Sequence, residues 1–147
     1  MTLLSIDPAV SKKIAYAMFV DEQLQGYNKV DHISEIDDVI NTALDIDLVV
    51  TEDMYLGNNV RTLKQLEREV GKIIYLCEIY EIEYRLIAPA TWKSHHGLLK
   101  KPKELEEKLQ IEIIRQETGE EITDVDIRAA ILIGLCQIEK ARWEQYN

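Results

Sequence analysis

The sequence has few cysteines and no long apolar run. Its only two cysteines among 147 residues, Cys77 and Cys136, fall inside apolar helical patterns. We therefore expect reduced core residues and a cytoplasmic protein rather than a disulfide-bonded one. No apolar run approaches the roughly 20 residues of a membrane span, and the N-terminus lacks the basic-then-apolar layout of a signal peptide. Repeats, low-complexity tracts and linkers are also lacking, which predicts one globular domain over residues 1–147 without a membrane partner.

The charge is unevenly distributed along the chain. The net charge of −10 argues, as a sum, against a nucleic-acid partner. However, residues 31–53 contain eight acids and no lysine or arginine, whereas residues 85–103 contain five basic residues, two histidines and no acid. A chain polarised in this way can be acidic overall and still present one basic face. The alternative interpretation is ordinary solvated surface charge.

Hydrophobic patterning predicts an α/β protein with alternating elements. The expected strands are 2–7, 13–20, 23–29, 48–52 and 83–87. The expected helices are 34–44 with Ser34 as N-cap, 59–80, 91–96, one starting at Pro102 and one starting near Asp124. The order β-β-β-α-β-α-β-α-α-α suggests a mixed sheet of about five strands. Its first strands would be antiparallel, and helices would cover both faces.

Acidic residues lie at the ends of predicted elements in three places. Asp7 ends the first strand, Glu52 ends the fourth, and Asp124 and Asp126 lie at the start of the last helix. Burying an unpaired carboxylate is costly, so acids at strand ends predict a cleft that holds a hard cation such as Mg²⁺. Each acid also has a structural alternative. Asp7 before Pro8 can start a turn, Glu52 can be solvated at a loop, and Asp124 or Asp126 can cap a helix.

Four motifs, in order, resemble those of RuvC-type Holliday junction resolvases. They are Ile6-Asp7-Pro8 with the following Ile14-Ala15-Tyr16-Ala17; Val50-Thr51-Glu52 before a long helix; Leu86-Ile87-Ala88-Pro89 with Trp92-Lys93 and then Lys103; and the segment 126–134. The resemblance runs over almost the whole chain. The short length is more similar to phage-encoded members, which would act in the cytoplasm of a bacterial host.

The resemblance implies a ribonuclease H-like fold, a homodimer and Mg²⁺-dependent nicking of four-way and other branched DNA. It implies two metal ions per site, with Mn²⁺ as a possible substitute. Asp7 would bridge both ions, and Glu52 and Asp126 would each hold one. Lys93 and Lys103 match family lysines near the scissile phosphate, where a cation offsets developing charge. The alternative for both lysines is plain surface charge.

The last motif departs from the family pattern at one position. The family has two acids one helical turn apart, but the residue three after Asp126 is Ala129. Either Asp124, at the start of the helix, provides the second carboxylate, or the site has lost a metal ligand, naturally or by engineering. A second hypothesis is therefore a catalytically impaired or inactive DNA-binding protein of the same fold. A third is a related nuclease that acts on RNA–DNA hybrids or unbranched DNA.

Further residues are candidates for contact with DNA or with a second copy of the chain. Tyr55 matches a family aromatic that stacks on opened bases, although it can instead pack on the core. Basic side chains at the start of the long helix and in the basic segment would track phosphates; they are Arg61, Lys64, Arg68, Lys93, Lys100, Lys101 and Lys103. The helix 59–80 keeps an extra face for a dimer interface. The adjacent His95 and His96 favour DNA contact or loop polarity over metal ligation.

Overall fold

The computed structural model describes residues 1–9, 12–43, 45–53 and 60–146, without the side chains of residues 60–62 and 146. It contains five strands, β1 (Thr2–Asp7), β2 (Ile14–Val20), β3 (Gln23–Val30), β4 (Leu48–Glu52) and β5 (Glu83–Ile87). The helices are α1 (Ile33–Thr42), α2 (Val60–Ile79), α3 (Pro89–His95), α4 (Lys103–Thr118) and α5 (Val125–Tyr146). This order confirms the predicted sequence of elements.

The strands form one mixed sheet in the order β3-β2-β1-β4-β5. The three N-terminal strands are antiparallel, whereas β1 and β4, and then β4 and β5, run parallel. The predicted α/β class and mixed five-stranded sheet are confirmed. The parallel pairing of β1 with β4 matters most for function, because it brings the carboxyl ends of two distant strands to the same edge of the sheet.

Helices cover both faces of this sheet, as predicted. One core cluster contains Leu4, Ile6 and Val49 and includes residues of α1 and α2. The other contains Leu3 and Val50 and includes residues of α3, α4 and α5. Successive side chains in a strand point to opposite faces. The odd-numbered residues of β1 and the even-numbered residues of β4 therefore face α5, and the last residue of each strand is an acid.

Helix α5 packs very closely on the sheet at Gly134. A β-carbon at this position would lie 2.4 Å from Phe19 Cε2 and 2.8 Å from Ser5 Oγ. The hydroxyl of Ser5 donates a hydrogen bond of 2.7 Å to the carbonyl oxygen of Ala130 in the preceding turn of the same helix. Because only a glycine allows this approach, the position of α5 over β1 is tightly fixed.

Some helix ends differ from the sequence-based expectations. Helix α1 begins at Ile33, so Ser34 is not its N-cap. The carboxylate of Glu35 instead accepts hydrogen bonds from the backbone N–H groups of Asp31 and His32, which satisfies the start of the helix without a serine. Helix α3 begins two residues earlier than expected, at Pro89, because proline suits the first helical position.

The last two helices begin close to where the sequence predicted. Helix α4 starts at Lys103, one residue after Pro102. It ends at Thr118 and is followed by Gly119, whose φ of 78° is a left-handed conformation that favours glycine. Within the described part of the chain, none of the helices is both long and apolar enough to cross a membrane.

Candidate active site

The parallel register of β1 and β4 brings two predicted acids together. Ile6 lies opposite Thr51, so the next residues, Asp7 and Glu52, end adjacent strands at the same edge of the sheet. Strand alternation turns both side chains towards α5. Asp7 is only 9% exposed, and Glu52 is partly buried. Two acids that are 45 positions apart in sequence therefore share one end of the sheet.

The third acid comes from the first turn of α5, which packs across this end of the sheet. Asp126 is 7% exposed, and it lines the same cleft as Asp7 and Glu52. The cleft has a volume of about 1090 Å³ and is open to solvent. Its other walls come from α2, α3 and α4 and include Lys93 and Lys103. The structure therefore brings five of the predicted site residues to one cavity.

The electrostatics of the cleft centre on Asp7. The pKa of its carboxyl group is raised from 3.8 to about 8, mainly by burial, and the neighbouring charges of Glu52 and Asp126 contribute to this rise. Lys12 and Lys29 act in the opposite direction without restoring the ordinary value. Burial also raises the pKa of Glu52, against the effect of a hydrogen bond from Trp92. The end of the sheet thus brings together carboxyl groups whose ionised forms lack full compensation by positive charge.

Two lysines that the sequence analysis did not select bind Asp126. The ammonium group of Lys12, in the turn after Asp7, contacts Asp126 Oδ1. Lys29 Nζ on β3 lies 3.2 Å from Asp126 Oδ2 and 2.9 Å from Asp124 Oδ2. Burial lowers the pKa of Lys12, but its hydrogen bond and charge interaction with Asp126 outweigh this effect and raise it. In the sequence, the feature that could have indicated this contact was the Lys12-Lys13 pair in the short hairpin after Asp7.

Glu52 is held from the other side by α3. Trp92 is 3% exposed, and its indole N–H donates a hydrogen bond of 2.7 Å to Glu52 Oε2. The C-terminal end of α3 is fixed to α5, because His95 contacts Glu139 and His96 contacts the carbonyl oxygen of Leu132. Neither histidine lines the cleft. These contacts give both histidines a structural role that the sequence analysis did not anticipate.

The predicted cleft lysines lie on the wall formed by α3 and α4. Lys93 Nζ lies 3.4 Å from Glu106 Oε1 and 5.6 Å from the centre of the Trp92 ring. Lys103 is exposed at the first position of α4 and lines the cleft. Both ammonium groups therefore belong to the same cavity as the acids, as a phosphate-binding role requires.

Of the other residues predicted to contact DNA, those whose side chains the structure describes lie outside this cavity. Lys100 and Lys101 are exposed between α3 and α4, and Lys64 is exposed on α2; none of the three lines the cleft. Tyr55 and the side chain of Arg61 lie outside the described residues, so their predicted roles stay predictions.

Asp124 and Ala129 occupy different environments. Asp124 Oδ1 accepts hydrogen bonds from the backbone N–H groups of Asp126 and Ile127, at 2.9 and 3.0 Å, so Asp124 caps α5. It does not line the cleft, which agrees with the capping alternative and speaks against its replacing the missing acid. Ala129 does line the cleft, one helical turn after Asp126, and presents a methyl group there.

The acids fit a hard divalent cation only in part. Carboxylate oxygens are the appropriate donors, and Asp7 and Glu52 are adjacent. Within the described part of the chain, however, no three histidine, cysteine, aspartate or glutamate side chains lie close enough to hold one ion. Asp126 engages Lys12 and Lys29 instead. The residues that fit the metal are thus Asp7 and Glu52, with Asp126 beside them but bound to ammonium groups.

A buried arginine also lies at the cleft and was not anticipated. Arg128 is 3% exposed; its Nε donates a hydrogen bond of 3.0 Å to Gln110, and its guanidinium group donates another to the carbonyl oxygen of Thr123. It also lies 3.8 Å from Glu107. These contacts join α4 to the start of α5. Arg128 therefore fixes the two helices that carry Lys103 and Asp126.

Comparison with known proteins identifies the fold. Thermus thermophilus RuvC in complex with Holliday junction substrate superposes with a TM-score of 0.78 and 13% identity, over 98% of this chain and 96% of that chain. A second Thermus thermophilus RuvC structure gives a TM-score of 0.78 and 14% identity, over 98% and 97%. No protein-family model and no curated protein matches the sequence. The structural likeness nevertheless shows that the chain has a RuvC-like, ribonuclease H-like fold, as its sequence motifs indicated.

Proposed function

We propose that this protein is a metal-dependent endonuclease that nicks four-way junctions and other branched DNA. One observation carries the proposal: Asp7, Glu52 and Asp126 line the same cleft as Lys93 and Lys103. Carboxylates can bind a metal cation, and lysine ammonium groups can bind phosphate oxygens. The cavity therefore has the groups that phosphodiester hydrolysis needs. The fold shared with a RuvC in complex with Holliday junction substrate supports branched DNA as the substrate class.

The proposed reaction is the hydrolysis of one phosphodiester bond per strand. The oxygen of a water molecule bonds to phosphorus, the bond from phosphorus to the leaving sugar oxygen breaks, and that oxygen takes up a proton. A divalent cation such as Mg²⁺ or Mn²⁺, held by Asp7 and Glu52 beside Asp126, would supply Lewis acidity and lower the pKa of bound water. Lys93 and Lys103 would bind the phosphate oxygens as negative charge develops on them.

Trp92 has a positioning role in this proposal. Its hydrogen bond engages Glu52 Oε2, so Oε1 would be the oxygen that binds a cation. Because the indole is buried and α3 is fixed to α5, the carboxylate keeps a defined orientation. A ligand that is already oriented loses less entropy when the ion binds.

The proposed DNA-binding surface extends from the cleft to its basic surroundings. Lys93 and Lys103 would contact phosphates near the cut, and the exposed Lys64, Lys100 and Lys101 would contact phosphates farther away. Since the net charge is −10, binding must depend on this local concentration of positive charge. We expect the affinity for DNA to fall steeply as the salt concentration rises.

We propose a homodimer that uses the exposed face of α2. Tyr75 and Ile79 lie one helical turn apart on this helix and are 63% and 55% exposed. A second copy would cover these apolar side chains. A two-fold dimer would also present two sites to the two symmetric strands of a junction. Replacing Tyr75 with aspartate should shift the mass measured by light scattering from two chains to one; an unchanged dimer would exclude this interface.

The decisive experiment compares labelled DNA substrates in the presence of Mg²⁺. Four-way junction, flap, RNA–DNA hybrid and linear duplex are incubated with wild type, Asp7→Asn and Asp38→Asn. Asp38 is exposed on α1 and is a matched control. We expect nicks mainly in the junction, their loss in Asp7→Asn, and wild-type nicking in Asp38→Asn. Preferential cleavage of hybrid or linear duplex would replace the junction proposal, and equal nicking by Asp7→Asn would refute the site.

A second candidate function is junction binding without cleavage. Two observations favour it: Ala129 presents a methyl group where the resolvase pattern has an acid, and Lys12 neutralises Asp126. Junction binding by mobility shift, measured beside nicking by wild type and Ala129→Asp, separates the two candidates. Binding without nicks in both proteins would favour the non-catalytic role.

A further inference from the structure

The carboxylate of Asp126 is fully engaged by side chains of the protein itself. Lys12 contacts Oδ1, and Lys29 Nζ lies 3.2 Å from Oδ2. Asp126 is 7% exposed, so each ammonium group contacts a carboxylate that is almost completely withdrawn from water. A cation that uses Asp126 as a ligand has to compete with these two lysines for the carboxylate oxygens. By contrast, neither Asp7 nor Glu52 forms an ion pair with a lysine within the described residues.

The charges next to the acids also favour one divalent cation. Asp7 and Glu52, when ionised, contribute two negative charges, which one Mg²⁺ ion balances. Asp126 already faces the ammonium groups of Lys12 and Lys29. A second cation beside Asp126 would meet these two positive charges in a partly buried site, where the dielectric constant is low and repulsion is strong.

The position that would support a second ion is also altered. Ala129 lies one turn after Asp126 on the cleft wall and offers no oxygen to a metal. Lys12, which follows Asp7 in the hairpin, contacts Asp126 on α5. Its ammonium group therefore lies beside Asp126, where a second cation would otherwise compensate this acid.

From this geometry we infer that the site takes a single divalent cation between Asp7 and Glu52, and that the ammonium group of Lys12 provides the second positive charge beside Asp126. This inference rests on the proposed function and departs from the two-ion arrangement that the family resemblance implied. It makes Lys12 a residue that sets the number of metal ions.

Metal stoichiometry, measured without DNA, tests the inference. Mn²⁺ is titrated into the full chain by isothermal calorimetry, and free Mn²⁺ is counted by electron paramagnetic resonance. We expect one ion per chain for wild type. We expect Asp7→Asn to weaken binding about tenfold or more, and Asp126→Asn to change it less than about threefold, because Asp7 is a ligand of the ion and Asp126 is not. The double variant Lys12→Met/Ala129→Asp should bind two ions.

Lys13 provides the matched control. It is the neighbour of Lys12, but it lies 3.8 Å from the exposed Asp31 and does not line the cleft. Lys13→Met should bind one ion as wild type does. Far-ultraviolet circular dichroism establishes that every variant is folded, and Lys12→Gln replaces Lys12→Met in the double variant if solubility falls.

Three results would overturn the inference. They are two ions per chain in wild type, an equal loss of affinity in Asp126→Asn and Asp7→Asn, and a double variant that still binds one ion. The proposed function fails in a different way. One ion per chain without junction nicking would refute the nuclease and leave this inference standing. Junction nicking with two ions per chain would support the nuclease and refute this inference.

Discussion

Replacing the acid at the centre of the site should make the metal-free protein more stable. Asp7 is 9% exposed, and burial, with the charges of Glu52 and Asp126, raises the pKa of its carboxyl group to about 8. The folded protein therefore retains a proton that the unfolded chain releases above its pKa of 3.8. Between these two values, stability falls as pH rises, because the folded state binds more protons than the unfolded state.

The size of this effect follows from the pKa difference. One pKa unit corresponds to about 1.36 kcal/mol. The interval between the unfolded pKa of 3.8 and pH 7 spans about three units, so the burial of Asp7 costs the folded state about 4 kcal/mol of stability at pH 7. Asparagine has nearly the same shape and no charge to desolvate, but its buried amide needs hydrogen bonds of its own. We therefore expect Asp7→Asn to raise the free energy of unfolding at pH 7 by about 2 kcal/mol, which corresponds to about 4–8 °C in Tm.

Thermal and urea denaturation in EDTA, from pH 4 to pH 8, would measure this gain. It should be small near pH 4, which is close to the pKa of 3.8 in the unfolded chain, and should grow as pH rises towards about 8. The exposed Asp38→Asn is the control and should show no such trend. A variant that is less stable than wild type at pH 7, or a gain that is independent of pH, would refute the electrostatic explanation.

Four further substitutions test other parts of the structure. Ala129→Asp should raise Mg²⁺-dependent junction nicking about tenfold or more, because it adds a carboxylate to the cleft; no change would count against the alignment with the resolvase motif. In urea denaturation, Gly134→Ala should cost about 1–3 kcal/mol, since its β-carbon would overlap the sheet. Gly71→Ala has open space and should gain up to about 1 kcal/mol. Trp92→Phe should lower Mn²⁺ affinity and nicking about tenfold, because Glu52 loses its hydrogen bond; equal loss of nicking at saturating metal would point to another role.

The convergence of the acids was predictable because it depends on regular geometry. Apolar runs of five to six residues that end in Asp7 and Glu52 predict buried strands, and buried parallel strands align their carboxyl ends. The alternation of side chains then turns both acids towards the same face. The long apolar pattern after Asp126 predicts a helix packed across that face. These rules depend on backbone periodicity, which the order of apolar and polar residues encodes directly.

The partners of the acids were not predictable in the same way. Lys12 reaches Asp126 from the turn after β1, and Lys29 reaches it from β3, both through long, flexible side chains. No periodicity in the sequence specifies such contacts. The hydrogen bond from Trp92 to Glu52 depends on the orientation of a short helix, which Pro89 starts earlier than the pattern suggested. Composition showed a basic segment, but it did not show that only Lys93 and Lys103 of its lysines line the cleft.

The instability that burial creates at Asp7 and the affinity for a cation have the same origin. Placing Asp7 next to Glu52, and withdrawing it from water, raises the free energy of the ionised site. A divalent cation between the two carboxylates removes this repulsion and gains the interaction that water no longer supplies. A cation could compensate the charge of Asp126 in the same way, but the ammonium groups of Lys12 and Lys29 already do so. An ion is therefore attracted most strongly to the acids that the protein leaves uncompensated, which are Asp7 and Glu52.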